Sequence, residues 1–143
     1  RCASITAACM GLRLAVRRLI ESGECLPKEL RPSREDISNG WTAPKLTDEE
    51  KLAHENLVMP NDVSAISVGL IDGEVYLDLD YVLDSNADVD MNVVGTSDGM
   101  LVEVQGTGEE ATYSRKQFDS LMDMAEVGLE RLHRMQVESL NGN

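Results

Sequence analysis

The chain has few positive charges. Thirteen lysine and arginine residues stand against 26 aspartate and glutamate residues, which gives a net charge of −13 over 143 residues. A protein that coats DNA without regard to sequence needs a basic face, so the composition argues against that class. RNA is not excluded, because a small basic group near the start (Arg1, Arg13, Arg17 and Arg18) can hold a phosphate chain while the remaining surface stays acidic.

Cysteine and histidine are also scarce. Cys2, Cys9 and Cys25 are widely spaced and form no CxxC or CxxH pair, which disfavours a zinc site. We expect free thiols in a reducing cytoplasm. His54 and His133 have no neighbouring Cys or Ser in the sequence, and we interpret both as surface or structural residues.

Long apolar runs are missing. No stretch is long enough to cross a bilayer, so we expect no membrane partner, and no secretory signal is visible. The length is sufficient for one domain with a real core. The sequence begins at Arg1 without a Met, and we expect it to be part of a longer product or a processed chain.

Apolar residues at three- and four-residue steps predict the helices. The first covers residues 5–22, and a capping-box sequence predicts a short second helix over residues 48–57. The second helix lies within residues 25–62, a polar segment with all four prolines, which we interpret as an insertion. A third helix is predicted from Ser114 to about Glu138. Its predicted buried stripe is Phe118, Leu121, Met122, Ala125, Leu129, Leu132 and Met135, in which the methionines serve as core filler.

Two hairpins are predicted between the second and third helices. Residues 63–82 read as one hairpin with its turn at Asp72-Gly73, because apolar and polar side chains alternate up to Tyr81. Residues 91–96 and 100–105 are predicted to form the two strands of the second hairpin. The order predicts an α+β fold, with helices packed on one face of a mainly antiparallel four-stranded sheet.

Three carboxylates crowd the segment between the two hairpins. Asp84, Asp88 and Asp90 repel one another, so a cation or a proton is needed to gather them unless the loop is simply a solvated turn. A calcium-binding EF-hand loop is excluded: its sixth position would be Val89 instead of Gly, and its twelfth Gly95 instead of Glu. The strands that we predict on both sides are a further mismatch.

Several segments, in this order, resemble the ribonuclease PH family of phosphorolytic 3′→5′ exoribonucleases. The quoted letters are R-C-A-S-I-T at the start, residues 63–69, D-L-D-Y from Asp78, D-S-x-x-x-x-D-M-N-V-V from Asp84, and E-V-Q-G-T from Glu103. The last two motifs are a highly specific pair. The resemblance covers most of the chain outside residues 25–62 and identifies it as the C-terminal part of a ribonuclease PH-type domain.

The resemblance implies a specific reaction and site. Inorganic phosphate is the co-substrate and attacks the last phosphodiester of an RNA 3′ end, typically that of a precursor tRNA, and a nucleoside diphosphate leaves. The family's acid and metal aspartates map onto Asp84 and Asp90, and the arginine of its phosphate loop maps onto Arg1. Family members form a hexameric ring built from dimers, which implies a homo-oligomer.

The chemistry is consistent with these assignments. A phosphate anion meets a phosphodiester anion, so an arginine clamp is needed. Two carboxylates can hold Mg²⁺, or one with a raised pKa can act as general acid, and the sequence does not decide between Asp84 and Asp90. Asp88 is a weaker candidate, and Asp78 and Asp80 can help to shape the site.

The sequence departs from the family's usual pattern at three positions: Cys2 replaces Thr, Leu83 replaces Glu and Gly95 replaces Met. The family's first half, with a second phosphate-binding arginine, is not part of this sequence. We expect unseen sequence, a separate chain or a partner subunit to supply it. Two other functions stay open: a structural ring subunit of an exosome-like assembly that binds RNA or partners without turnover and, more remotely, a metal-buffering module.

Overall fold

A computed structural model describes residues 1–108 and 111–142. Its elements, in chain order, are α1 (Cys2–Glu21), a 3-10 turn (Lys28–Leu30), α2 (Arg34–Ser38), α3 (Asp48–Val58), β1 (Val63–Ile71), β2 (Glu74–Leu77), α4 (Tyr81–Asp84), β3 (Val89–Thr96), β4 (Leu101–Gly108) and α5 (Arg115–Leu140). They form two compact units. The first comprises Arg1–Met10 and Asn61–Asn143, and the second Gly11–Pro60.

The first unit is built on a four-stranded antiparallel sheet in the order β2-β1-β3-β4. This confirms the predicted α+β class. The turn at Asp72-Gly73 has positive φ at both residues, +51° and +85°, as a two-residue hairpin turn requires. Ser67 pairs with Asn92, and Asn92 with Gln105, so residues from three strands are adjacent across the sheet.

Helix α5 packs on one face of this sheet. Ser114 and Gln117 form the predicted capping box at its start. The core consists of Ile66, Val68, Leu70, Val89, Met91, Val93, Leu121, Ala125 and Leu129, with Phe118, Met122 and Leu132 packed against it. These residues alternate on the strands and recur at helical spacing on α5, which is why both patterns could be recognised in the sequence.

The predicted stripe is wrong at its last residue. Met135 is 53% exposed, whereas Gln136 beside it is buried at 2%. Gln136 donates from Nε2 to the carbonyl oxygen of Val63 at 3.1 Å and accepts from Nδ1 of His133 at 3.0 Å. A polar residue therefore occupies the buried side of this turn of α5. His133, predicted to be surface or structural, has a structural role here.

The first hairpin ends earlier than predicted. Strand β2 stops at Leu77, because Asp78 adopts a positive φ of +56° and turns the chain out of the sheet. Asp80 then caps α4, accepting a hydrogen bond from the amide of Leu83 at 2.9 Å. The segment before Asp84 is consequently one helical turn, and the expectation of a strand there was wrong.

The position of helix α1 also differs from the prediction that all helices pack on one face of the sheet. Its first half lies along β1, where Val63 and Ala65 donate their amides to Cys9 Sγ and Thr6 Oγ1, both at 3.1 Å. These two amides lie beyond the part of β1 that pairs with β2. Side chains of α1 therefore close an edge of the sheet that β2 does not reach.

The second unit contains the polar, proline-containing segment. Helix α1 continues through it to Glu21 and stops before Gly23, which has a φ of +77°, and Thr47 caps α3 with Glu50 as predicted. Arg13 and Arg17 both bind the carboxylate of Glu55, at 3.0 and 2.7 Å.

Arg13 is only 5% exposed, because it is enclosed with Glu55 and also donates to the carbonyl oxygen of Met59. It is therefore a structural residue, and its inclusion among cations available to RNA was wrong. His54, 6% exposed and 3.7 Å from Cys25 Sγ, is structural as expected.

No disulfide joins any of Cys2, Cys9 and Cys25. Among the described residues, no helix combines the length and apolar character that a membrane span requires.

Candidate functional site

The candidate site lies on the sheet face opposite α5. Val89, Met91 and Val93 point into the core, so the alternate residues Asp90 and Asn92 project from the other face. Side chains at paired positions share a face, which places Thr107 beside Asp90 and Gln105 beside Asn92. The sequence placed these polar residues in strands, and the strand register brings them together.

Asp90 has an unusual environment. Asp90 is half-buried as a residue. Its Oδ1 atom is inaccessible to solvent and has no hydrogen-bond partner among the described residues. Gly69 is its neighbour on β1, and Leu79 packs so closely over Gly69 that a Cβ there would come within 2.6 Å of Leu79 Cδ1. A buried carboxylate oxygen without a donor is destabilising, and a bound cation or a proton relieves this.

Arg1 lies on the same face as Asp90. Its two terminal nitrogens donate to Glu103 and Gln105, which alternate on β4 with Thr107. Cys2 Sγ donates to Asn92 Oδ1 at 2.9 Å, and this bond anchors the first turn of α1 over β3. The helix N-terminus, which favours negative charge, and the Arg1 guanidinium therefore lie beside the strand that carries Asp90.

The thiol of Cys2 is perturbed. Burial raises its pKa, while the positive charge of Arg1 opposes this effect and the carboxylate of Asp78 adds to it. The group is therefore held as the neutral thiol, the form that donates to Asn92.

Asp84 occupies a different position from Asp90. It is exposed and ends α4, and residues 85–88 connect it to β3. The described residues contain no group of three or more His, Cys, Asp or Glu side chains arranged to hold a metal ion. A cation at this site would therefore rest on one or two carboxylates, which is the usual number for protein-bound Mg²⁺ that keeps its waters and contacts substrate phosphate.

Two of the other candidate carboxylates have structural partners. Asp88 Oδ2 accepts a hydrogen bond from the amide of Asp72 at 3.1 Å. Asp80 caps α4. Both contacts account for an aspartate at those positions without a ligand.

Sequence reasoning missed four residues of this face as individuals: Asn92, Glu103, Gln105 and Thr107. Only the family motifs drew attention to the segments that contain them. Their signal was the alternation of polar residues along both predicted strands, combined with a hairpin turn at 97–99. The pairing of β3 with β4 shifts register by one residue between Val94 and Gly95, so the turn position alone does not predict which residues lie opposite one another.

Comparisons with known proteins agree with this fold. Residues 62–128 match the family described as the 3′ exoribonuclease family, domain 2. The ribonuclease PH of Corynebacterium kroppenstedtii is 54% identical over 64% of this chain and 36% of its own length. The ribonuclease PH of a Synechococcus species is 40% identical over 87% of this chain and 51% of its own length. The ribonuclease PH of Crocosphaera subtropica is 38% identical over 99% of this chain and 47% of its own length.

The chain thus spans about half the length of these relatives, or less. The similarity nevertheless extends over nearly all of its own residues and includes β3, β4 and the first turn of α1. The chain belongs to the ribonuclease PH family.

Proposed function

We propose that the assembled protein containing this chain is a phosphate-dependent 3′→5′ exoribonuclease that releases nucleoside diphosphates. The observation that carries the proposal is the sheet face shared by Asp90 and Arg1. Asp90 on β3 has a carboxylate oxygen without a hydrogen-bond partner among the described residues, and the Arg1 guanidinium is bound to Glu103 and Gln105 of the adjacent strand β4. The family membership supports the reaction type.

Arg1 would bind the attacking phosphate. The co-substrate and the terminal phosphodiester are both anions, and their repulsion opposes the approach of the two reacting groups. A guanidinium matches two phosphate oxygens at once and offsets this repulsion. The neighbouring N-terminal turn of α1 adds a favourable field for an anion.

Asp90 and Asp84 would serve the leaving group. An oxygen of phosphate attacks the terminal phosphorus, the bond from this phosphorus to the preceding ribose 3′-oxygen breaks, and that oxygen must gain a proton. A carboxyl group with a proton can donate it, and a carboxylate can instead hold Mg²⁺ against the developing charge. The unpartnered oxygen of Asp90 fits either role, and Asp84 is the second candidate ligand.

The family resemblance supports a specific substrate and assembly. We propose trimming of tRNA 3′ ends, and a hexameric ring of dimers in which the remaining part of the domain comes from unseen sequence or another chain. The acidic charge of this chain, −13, is consistent with a protein that holds only the RNA end by local contacts.

One assay tests the proposal. The assembled protein is incubated with single-stranded RNA and Mg²⁺, with and without inorganic phosphate, and the released nucleotides are identified. We expect nucleoside diphosphates that require phosphate. Nucleoside monophosphates formed in its absence would indicate hydrolysis and contradict the proposal. RNA binding without any release would instead support a structural ring subunit.

A further inference from the structure

We propose that Glu103 and Gln105 are positioning residues that hold the Arg1 guanidinium for phosphate binding. This inference rests on the proposed function and extends it to two strand residues that do not touch the reacting atoms. Its basis is a pair of contacts: Nη1 of Arg1 donates to Gln105 Oε1, and Nη2 donates to Glu103 Oε1.

The strand geometry makes these contacts directional. Glu103 and Gln105 are separated by one residue on β4, so both side chains project from the same face, about 7 Å apart along the strand. Each binds a different terminal nitrogen of one planar group. Two contacts at different ends of a plane restrict its rotation, whereas a single contact would allow the guanidinium to pivot.

The backbone of Arg1 is restrained as well. The next residue, Cys2, donates to Asn92 Oδ1 at 2.9 Å, and Asn92 pairs with Gln105 across β3 and β4. Arg1 is therefore fixed at its side chain by β4 and, through its neighbour, by β3. Asp90 lies two residues before Asn92 on the same strand face, so the restraint sets the position of Arg1 relative to this carboxylate.

The Arg1 guanidinium retains N–H donors that can bind an anion. A guanidinium has five N–H donors, and the two β4 contacts use two of them. The remaining three suffice for a bidentate contact to phosphate. Orientation by β4 means that less rotational freedom is lost when phosphate binds, so affinity improves without a new contact to the ligand.

The two positioning residues differ in charge, which makes them separable by mutation. Gln105 orients Arg1 without changing the local charge. Glu103 orients it but also brings a negative charge that opposes an incoming anion. Replacing Glu103 by Gln keeps an acceptor oxygen and removes this opposition, whereas replacing it by Ala removes both.

The experiment compares Glu103→Ala, Glu103→Gln and Gln105→Ala in the assembled protein, with Glu138→Ala as a control at an exposed glutamate on α5. KM is measured separately for inorganic phosphate and for RNA. We expect Gln105→Ala and Glu103→Ala to raise the KM for phosphate about tenfold, the loss typical of a hydrogen bond to a charged group. The KM for RNA should change less than about twofold, and Glu103→Gln should restore the KM for phosphate.

Several outcomes would overturn the inference. An unchanged KM for phosphate in both Ala variants would do so, as would an equal loss in Glu103→Ala and Glu103→Gln. Equal increases in both KM values, with a lowered melting temperature, would indicate a purely structural role and also overturn it. If no variant or wild-type protein releases nucleoside diphosphates, the proposed function fails, and calorimetric binding of inorganic phosphate to the same variants still tests the positioning roles.

Discussion

At the residue scale, Asp90 combines two properties that rarely occur together in a stable protein. Its backbone lies in a central strand, yet one of its carboxylate oxygens is buried and receives no hydrogen bond from any described residue. Such an arrangement lowers stability and is typical of positions kept for a ligand or for proton transfer. The same residue should therefore show opposite effects on stability and activity when its charge is removed.

Asp90→Asn tests this conflict. Because the amide keeps the shape but loses the charge, we expect turnover to fall at least about 100-fold, the usual contribution of an acid or base group. RNA affinity should change little. Unfolding by denaturant should show a gain of about 1 kcal/mol, because a buried charge has been removed.

Asp123→Asn is the matched control, an exposed aspartate on α5. It should leave turnover unchanged. An active Asp90→Asn variant would remove Asp90 from the chemistry.

Cys2 gives a pH-dependent prediction. Burial raises its pKa in the folded protein, so between the unfolded and folded pKa values the folded state binds more protons. Stability from this residue should therefore be complete below the ordinary thiol pKa and decrease as the pH rises through the folded value. The difference in unfolding free energy between wild type and Cys2→Thr, measured from neutral to alkaline pH, should show this decrease.

The threonine hydroxyl can still donate to Asn92 and does not titrate in this range. A difference that stays constant with pH would contradict the account. Cys2→Ala, which lacks a donor, should be less stable than Cys2→Thr by about 1 kcal/mol at neutral pH.

At the element scale, local chemistry decided which predictions succeeded. Helix α5 was predictable because a capping sequence, a helical apolar period and a sheet partner all agree. The structure of residues 78–84 was not predictable, because apolar and polar side chains keep alternating beyond Asp78, where a positive φ turns the chain out of the sheet. The sequence does not reveal this turn, because aspartate can adopt either an extended or a left-handed backbone conformation.

The capping box of α5 is open to direct measurement. Ser114→Ala removes the acceptor for the amide of Gln117, and we expect a loss of about 1 kcal/mol in unfolding free energy. Ser114→Asp supplies another acceptor and should retain most of the stability. Equal losses in the two variants would show that packing around Ser114, not capping, matters.

At the scale of the whole molecule, one edge of the sheet carries exposed apolar side chains. Strand β4 ends the strand order, and Leu101, Val102 and Val104 on it are exposed by 51%, 61% and 37%. Exposed apolar edge strands pair readily with other chains. The chain also spans about half the length of its relatives, or less.

The chain expressed alone should therefore self-associate. Light scattering after size-exclusion chromatography should give a mass above that of the 15.7 kDa chain, and the mass should fall on dilution. Val102→Lys, which places a charge on the edge, should reduce the association. A monodisperse and fully folded monomer would contradict this expectation, and with it the expectation that another segment completes the domain.

The sequence thus predicted the fold class and most elements, but not how the candidate site residues are arranged. Motif similarity pointed to Asp84, Asp90 and Arg1 without indicating which of them share a face. The shared face of Asp90 and Arg1 depends on the pairing of β3 with β4 and on a bulge between them, which are long-range features. Arg13 shows the same limit, since only the distant Glu55 reveals that it is buried.

The most direct test of the central claim follows the atoms of the co-substrate. RNA is degraded by the assembled protein in the presence of phosphate labelled with a heavy oxygen isotope, and the products are analysed by mass spectrometry. We expect nucleoside diphosphates with the label in the terminal phosphate group. Unlabelled nucleoside monophosphates, or label incorporated from heavy water instead, would contradict attack by phosphate at the face shared by Asp90 and Arg1.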